Sequence, residues 1–204
     1  MPPEPNQPKD RPQDEAAPGA PAPQPGRLRI AVLGAGSIGC HVGGLLSAVA
    51  DVTLIGRPAA MAVLADEGLT LTGGGRAAVR IPGPRLRTAT SPDAVRDADL
   101  VLVTVKSAGT AAAGAELAGR LAPGAAVVSL QNGLHNAEVL RAAIGGGHPV
   151  IAGMVPYNVL QTAPGVFHQG SGGALMVEAS PGAGARGGAP GPARPPGGAR
   201  PGGL

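Results

Sequence analysis

The segment 34–39, which reads GAGSIG, has the glycine spacing of a loop that binds phosphates. Each glycine would serve a different purpose there. Gly34 permits a tight turn, Gly36 lets a pyrophosphate approach the backbone without a Cβ in the way, and Gly39 lets the next helix pack close to the preceding strand. The free amides and positive dipole at the start of that helix attract phosphates. The residues predicted to bind a dinucleotide at this loop are Gly34, Ala35, Gly36, Ser37, Ile38 and Gly39.

The sequence around this loop makes the pattern more specific than the glycines alone. Residues 28–33 form an apolar run of strand length, apolar residues recur at helical spacing over 37–49, and 51–55 has the composition of a second strand. A serine-nucleophile elbow has a related glycine pattern, but it lies deep in a sheet with a donor loop upstream, and we predict no folded element before residue 28. The order strand, glycine loop, helix, strand favours dinucleotide binding.

The end of the second predicted strand carries Arg57 where an NAD site usually has an acidic residue that binds the ribose 2′-hydroxyl. No carboxylate occurs between Asp51 and Asp66. A guanidinium at Arg57 suits a 2′-phosphate, which it can bind through two charge-assisted hydrogen bonds. The sequence therefore predicts NADPH as the cofactor and disfavours NAD and FAD. The alternative is that Arg57 is a solvated residue at a helix start.

Two further polar side chains follow predicted strands. Lys106 comes after the strand 100–105, and Asn132 comes after the strand 125–130. Ligands of open α/β sheets bind just beyond the carboxyl ends of strands, so both residues are predicted to line the cofactor and substrate cleft. Lysine attracts a phosphate or carboxylate, and the Asn132 amide offers a donor and an acceptor. The alternatives are a surface lysine and an ordinary Asn-Gly turn.

The elements that must position these residues alternate along the chain. Strands are predicted at 28–33, 51–55, 100–105, 125–130 and 150–155, and helices at 37–49, 57–67, 91–99, 110–121 and 134–144. This alternation predicts a Rossmann-like α/β fold with a doubly wound, mostly parallel sheet. Two hairpins are also predicted, one inserted over 68–81 and one terminal, formed by 165–168 and 174–177.

Composition divides the chain into three parts. Nine of its 23 prolines lie in residues 1–27 and six lie in residues 180–204. We therefore predict a disordered Pro-rich leader at 1–27, an NADP-binding domain at 28–179, and a disordered Gly/Pro/Ala/Arg tail at 180–204. The leader has neither the apolar core of a signal peptide nor the Arg-rich pattern of a transit peptide, which favours a cytoplasmic protein.

Several partners are disfavoured. The formal net charge of +3 matches the three arginines of the tail, and with one Tyr, one Phe and no Trp the chain lacks the aromatic residues of a single-strand nucleic-acid site. Residues 30–50 carry no formal charge, but five glycines interrupt them, and a strand, turn and helix explain them better than a membrane span. Cys40 is the single cysteine, expected as a buried thiol, and the histidines are too scattered to predict a metal site.

Five motifs in the same order and spacing resemble the ketopantoate reductase (2-dehydropantoate 2-reductase) family from about residue 28 to residue 177. They are Leu33–Gly39, Ile55–Arg57, Val103–Ser107, Gln131–Gly133, and Gly153–Val159 with Gly165–Gly170. The resemblance implies NADPH-dependent reduction of a small 2-oxo acid, 2-dehydropantoate, to (R)-pantoate in the biosynthesis of pantothenate and coenzyme A. It also implies that Arg57 holds the cofactor and that Lys106 and Asn132 line the cofactor and substrate cleft.

The resemblance stops where the family's second, mostly helical domain should begin. In the family that domain supplies a lysine as proton donor, whereas here no lysine follows Lys106 and no asparagine follows Asn158. No catalytic residue is therefore identifiable, and we expect an impaired reductase. A frame-shifted reading of GC-rich coding sequence would give such a tail. The alternative function is a non-catalytic NADP(H)-binding module. The oligomeric state is not predicted.

Overall fold

A computed structural model of the protein describes residues 22–133 and 135–179. The predicted tail lies outside the described residues, and so does the predicted leader apart from residues 22–27. Those last leader residues contact the domain, because the Gln24 amide donates to the Asp51 carboxylate at 2.7 Å. The Arg27 guanidinium also donates to the carbonyls of Ser47 and Ala50 at 3.1 and 3.0 Å.

The described residues contain eleven strands and four α-helices. The strands are β1 (Arg29–Leu33), β2 (Asp51–Ile55), β3 (Leu69–Gly73), β4 (Val79–Ile81), β5 (Arg87–Ala89), β6 (Leu100–Val103), β7 (Ala126–Ser129), β8 (Val150–Met154), β9 (Val159–Ala163), β10 (Val166–Gln169) and β11 (Met176–Val177). The helices are α1 (Ser37–Leu46), α2 (Pro58–Glu67), α3 (Thr110–Leu117) and α4 (His135–Ile144). Short 3₁₀ turns occupy Gly83–Arg85, Pro92–Val95 and Ser107–Gly109.

The larger sheet has seven strands in the order β11-β8-β7-β6-β1-β2-β5. All neighbours pair in parallel except β11, which is antiparallel to β8. The chain leaves β1 toward β2 on one side and later returns to place β6 on the other side, so the strand order reverses between β1 and β6. This arrangement confirms the predicted Rossmann-like fold, and the reversal is where such sheets bind ligands.

The core covers both faces of this sheet. Alternate residues of β1 point to opposite sides, and Ile30 and Val32 join one apolar cluster while Ala31 and Leu33 join the other. A strand that is buried on both faces explains the continuous apolar run in the sequence. In the described part of the chain, no helix is long and apolar enough to cross a membrane, and residues 30–50 contain β1, the glycine loop and α1.

A second sheet of four strands, in the order β4-β3-β10-β9, was not predicted. Helix α1 lies between the two sheets, and two of its glycines make that possible. A Cβ on Gly43 would come 2.6 Å from Leu54 Cδ2 on β2, and a Cβ on Gly44 would come 2.6 Å from Leu69 Cδ2 on β3. Both distances are shorter than a carbon–carbon contact, so a larger residue at either position would require the facing leucine side chain or the sheet itself to move.

The hairpin predicted over 68–81 is confirmed as the antiparallel pair β3 and β4, but the predicted terminal hairpin is wrong. Its first segment, β10, pairs with β9 in antiparallel and with β3 in parallel orientation. Its second segment, β11, pairs with β8, with Met176 opposite Met154. Both segments are strands as predicted, because residue pattern predicts a strand but does not specify its partner.

Three predicted helices are shorter than expected, and the first of them, predicted at 37–49, ends at Leu46. The helix predicted at 91–99 is a single 3₁₀ turn, Pro92–Val95, although the Ser91 hydroxyl accepts from the Asp93 amide at 3.2 Å, as an N-cap should. The helix predicted at 110–121 ends at Leu117, and Gly119 has a φ of +73°, which interrupts a right-handed helix. Propensity predicted the start of each helix better than its end.

Candidate functional site

The glycine loop lies at the carboxyl edge of the larger sheet, between β1 and α1. The amides of Gly34 and Ala35 both donate to the Ile55 carbonyl, at 3.0 and 2.8 Å, so the loop is attached to the end of β2. Gly34 has a φ of +103°, and a Cβ there would lie 2.7 Å from the Val105 nitrogen. Both its conformation and its surroundings therefore require glycine, as the predicted tight turn does.

The chain leaves no room for a side chain at Gly39 but leaves room for one at Gly36. A Cβ on Gly39 would lie 2.5 Å from the Gly34 carbonyl oxygen and 2.7 Å from Thr104 Oγ1, which itself donates to that carbonyl at 2.8 Å. A Cβ on Gly36 would approach nothing closer than the same carbonyl oxygen, at 3.9 Å. Packing within the chain thus explains Gly39 but not Gly36, and a group that approaches the Gly36 backbone from outside would explain it.

The first turn of α1 suits an anion. Its N-cap is Gly36, which makes no side-chain cap hydrogen bond, and no acidic residue lies in the turn. The partial positive charge of a helix N-terminus is therefore not neutralised by a carboxylate of that turn. Together with the open approach at Gly36, this arrangement fits the pyrophosphate of a dinucleotide.

Arg57 follows β2 and is the N-cap of α2. A Cβ on the preceding Gly56 would lie 3.1 Å from the Ala35 Cβ, so the chain passes directly beside the glycine loop before it reaches Arg57. The Arg57 side chain is exposed and makes no hydrogen bond or ion pair with any residue that the structure describes. Its guanidinium is therefore available to a ligand next to the loop.

Lys106 and Asn132 lie on neighbouring loops, after β6 and β7, and both are exposed. The Ser107 hydroxyl donates to the Asn132 carbonyl at 3.0 Å, which joins the two loops directly. The sheet order β7-β6-β1-β2 places Asn132, Lys106, the glycine loop and Arg57 in sequence along one edge. The structure thus places every predicted site residue at the same edge of four adjacent strands, on either side of the point where the strand order reverses.

Three buried polar side chains lie beneath these loops and form a network that the sequence did not predict. Gln131, Thr110 and Asn136 are 4%, 2% and 8% exposed, and hydrogen bonds connect them. Thr110 precedes the buried Ala113 and Leu117 by three and seven residues, on the apolar face of α3. A polar residue at an apolar position of a helix was the available signal, because buried polar groups need partners.

Two neighbours on α1 have shifted pKa values. Burial raises the pKa of the Cys40 thiol to about 12, and this residue is buried as predicted. His41 is 1% exposed, and its ring meets Tyr157 edge to face with centroids 5.5 Å apart. Burial and then the charge of Arg76 lower the pKa of His41, which favours a neutral imidazole. Among the residues described, no group of three His, Cys, Asp or Glu side chains could hold a metal ion.

Comparison with known proteins decides the family of this site. A family model described as "Ketopantoate reductase PanE/ApbA" matches residues 30–182. The chain belongs to the ketopantoate reductase family. Among similar proteins, the 2-dehydropantoate 2-reductase of Halobacterium salinarum is 37% identical over 160 residues, which are 74% of this chain and 48% of that protein. That of Pyrococcus horikoshii is 35% identical over 146 residues, 68% of this chain and 43% of that protein.

Solved structures agree with this membership. A PanE/ApbA family ketopantoate reductase from Ralstonia eutropha is 34% identical, with a TM-score of 0.67 over 76% of this chain and 50% of that one. A probable 2-dehydropantoate 2-reductase from Bacillus subtilis is 27% identical, with a TM-score of 0.62 over 74% of this chain and 49% of that one. The chain therefore spans about half the length of the ketopantoate reductase relatives that it matches.

Proposed function

We propose that residues 28–179 form the NADP(H)-binding domain of a 2-dehydropantoate 2-reductase. The observation that carries this proposal is the convergence of the glycine loop, Arg57, Lys106 and Asn132 on one edge of the sheet, at the reversal between β1 and β6. Family membership supports the same reading, because the relatives matched over this region are named 2-dehydropantoate 2-reductases.

The residues present fit an NADPH molecule along this edge. The Gly36 backbone and the first turn of α1 would hold the pyrophosphate, since no Cβ and no carboxylate of that turn opposes it. Arg57 would bind the 2′-phosphate, because it follows β2 beside the loop and its guanidinium has no competing partner in the described part of the chain. When bound, NADPH supplies the hydride for reduction of a carbonyl.

The loops after β6 and β7 would line the end of the cleft where the substrate carbonyl is reduced. Lys106 contributes a positive charge suited to a phosphate or to the carboxylate of a 2-oxo acid, and the Asn132 amide can donate to a carbonyl oxygen. The two residues lie in loops that follow adjacent strands, and the hydrogen bond from Ser107 to the Asn132 carbonyl joins these loops. This arrangement suits a small 2-oxo acid. Because the relatives are named 2-dehydropantoate 2-reductases, we infer that this acid is 2-dehydropantoate, reduced to (R)-pantoate in the cytoplasm for pantothenate and coenzyme A biosynthesis.

Turnover by this 204-residue chain alone is expected to be slow. Reduction of a carbonyl leaves an alkoxide that needs a proton, and a positioned general acid contributes about 10²–10⁴-fold. The chain has two lysines, Lys9 and Lys106, and spans about half the length of its relatives. A second candidate is a non-catalytic NADP(H)-binding module, because Lys106 is the one lysine among the described residues and the proposal already assigns it to binding in the cleft.

The test separates binding from turnover. NADPH is titrated into the full chain while its fluorescence and the melting temperature of the protein are recorded, with NADH as the matched control ligand. We expect saturable binding that is tighter for NADPH, and no NADPH-specific change would refute both candidates. Consumption of NADPH with 2-dehydropantoate above the rate without protein would then exclude the non-catalytic module.

A further inference from the structure

The carboxamides of Gln131 and Asn136 lie beneath the loops that carry Lys106 and Asn132. We propose that Gln131 and Asn136 are positioning residues that fix the backbones of these two loops and thereby set where the Lys106 and Asn132 side chains stand in the cleft. The inference rests on the proposed function in one respect, namely that this cleft binds NADPH and a substrate. The hydrogen bonds that support it belong to the protein alone.

Gln131 holds the loop after β6. Its Nε2 donates to the Val105 carbonyl at 2.9 Å and to Thr110 Oγ1 at 2.7 Å, while its Oε1 accepts from the Ser129 hydroxyl at 3.1 Å. Val105 immediately precedes Lys106, so this bond fixes the peptide from which the Lys106 side chain departs. A loop peptide has no ladder partner in the sheet, and a buried side chain is what satisfies it here.

Asn136 holds the loop after β7 in the same way. Its Nδ2 lies 2.8 Å from the Asn132 carbonyl and 3.2 Å from the Gly133 carbonyl, and both contacts suit donation by the amide. Its Oδ1 lies 2.9 Å from Thr110 Oγ1, the hydroxyl that also accepts from Gln131. One threonine thus connects the two carboxamides into a single network.

The pattern of contacts points to positioning of the cleft. Each carboxamide donates to a carbonyl beside or within the residues assigned to the cleft, Gln131 to Val105 and Asn136 to Asn132. The Ser107 hydroxyl, next to Lys106, joins the loops a third time through the Asn132 carbonyl at 3.0 Å. A connected network in which each buried member is satisfied is rigid, and rigid supports hold ligand-binding side chains in a defined geometry.

The first measurement uses the free chain and does not depend on any ligand. Gln131→Met keeps the approximate volume of the side chain and removes its hydrogen bonds. Thr72→Val is the matched control, because Thr72 makes a similar side-chain contact, 2.9 Å from His168 Nδ1, on the second sheet. Amide hydrogen exchange should become at least tenfold faster at Gly109, which donates to the Lys106 carbonyl at 2.7 Å, in Gln131→Met only.

The second measurement follows Lys106 itself. The chain has only two lysines, so its ¹³C-dimethylated form gives two side-chain lysine signals, which Lys9→Arg assigns. NADPH should shift the Lys106 signal in the wild-type chain, and Gln131→Met should reduce that shift at saturation by more than half and raise the NADPH Kd about fivefold. The ratio of NADPH affinity to NADH affinity in Gln131→Met should stay within twofold of the wild-type ratio, because Arg57 is unchanged.

The outcomes separate this inference from the proposed function. Exchange at Gly109 within twofold of wild type, or an unchanged Lys106 shift in a variant that binds NADPH, would overturn the positioning role. If exchange at Gly109 is faster in Gln131→Met but the wild-type chain itself binds no NADPH, the network is supported and the proposed function is refuted. If Gln131→Met does not fold, Ser107→Ala removes two connections at an exposed position, to the Asn132 carbonyl at 3.0 Å and to Asn136 Nδ2 at 3.3 Å. Exchange at Gly109 must then rise at least twofold for the inference to stand.

Discussion

Replacing Arg57 with alanine should convert a preference for NADPH into near equality with NADH. The Arg57 side chain is exposed and makes no side-chain cap hydrogen bond to α2, so its removal leaves no buried group without a partner. We therefore expect the free energy of unfolding to change by less than about 0.5 kcal/mol, as for ordinary surface substitutions. The effect should appear in cofactor binding alone.

The magnitude follows from the surroundings of the guanidinium. A hydrogen bond to a charged group contributes about 1.5–3 kcal/mol, whereas an exposed ion pair contributes about 0.2–1 kcal/mol. Arg57 is exposed in the free protein but would make two parallel bonds to a phosphate, which places the loss at about 1.4–2 kcal/mol. At about 1.4 kcal/mol per factor of ten, NADPH should bind about 10- to 30-fold more weakly, and NADH less than about twofold more weakly.

The assay is a pair of fluorescence titrations, NADPH and NADH, at low and at physiological salt. The NADPH difference should shrink as salt rises, because exposed charges are screened. Arg85→Ala is the matched control, because Arg85 is exposed and lies away from the glycine loop. Gly83, two residues earlier, packs against Ala65 near the far end of α2, about 12 Å along the helix from Arg57. Equal losses for NADPH and NADH, or the same loss in Arg85→Ala, would refute the 2′-phosphate assignment.

Three further predictions concern the loop and α1. Gly36→Ala should melt within about 2 °C of wild type yet bind NADPH at least about tenfold more weakly, whereas Gly39→Ala should lose about 1–3 kcal/mol of stability because its Cβ would lie 2.5 Å from a carbonyl oxygen. Thermal unfolding and titration of both variants check this, and a destabilised Gly36→Ala would contradict it. Cys40, with its pKa raised to about 12 by burial, should resist iodoacetamide at pH 8 until the chain is unfolded; rapid alkylation of the folded chain would disprove this. The lowered pKa of His41 means that the unfolded chain binds its proton more tightly, so stability should fall as the pH drops below about 6.5. His41→Phe, which keeps the ring contact with Tyr157, should remove that part of the loss in urea titrations at pH 7.5 and 5.5, and an identical slope in both proteins would argue against it.

The first unit of the fold was predictable because its causes are local. The strand β1, the glycine loop and α1 are specified by an apolar run, by glycines at required spacings and by helical periodicity, all within about twenty residues. The positive φ of Gly34 and the crowding at Gly39 are the stereochemical reasons behind the pattern. The positions of Lys106 and Asn132 at the same edge of the sheet were predictable for a similar reason, since each lies in the loop after an apolar strand.

Strand pairing was harder to predict. The segments β10 and β11 read as strands, but an alternating or apolar segment can pair with any exposed edge, and adjacency in sequence favoured a hairpin that does not form. The second sheet depends on β3 and β10, which are nearly a hundred residues apart, and on the glycines of α1 that allow both sheets to approach it.

By itself the sequence determined the Rossmann-like unit and the family, and it predicted which residues follow the strands at the carboxyl edge of the sheet, because these follow from short-range periodicity, turn stereochemistry and motifs. Only the tertiary structure decided which strands pair, why Gly39 is crowded while Gly36 is open, and how Gln131 and Asn136 join the loops beneath Lys106 and Asn132. The physical reason is that hydrogen bonds and contacts between distant residues depend on where the whole chain places them, and no local pattern encodes that distance.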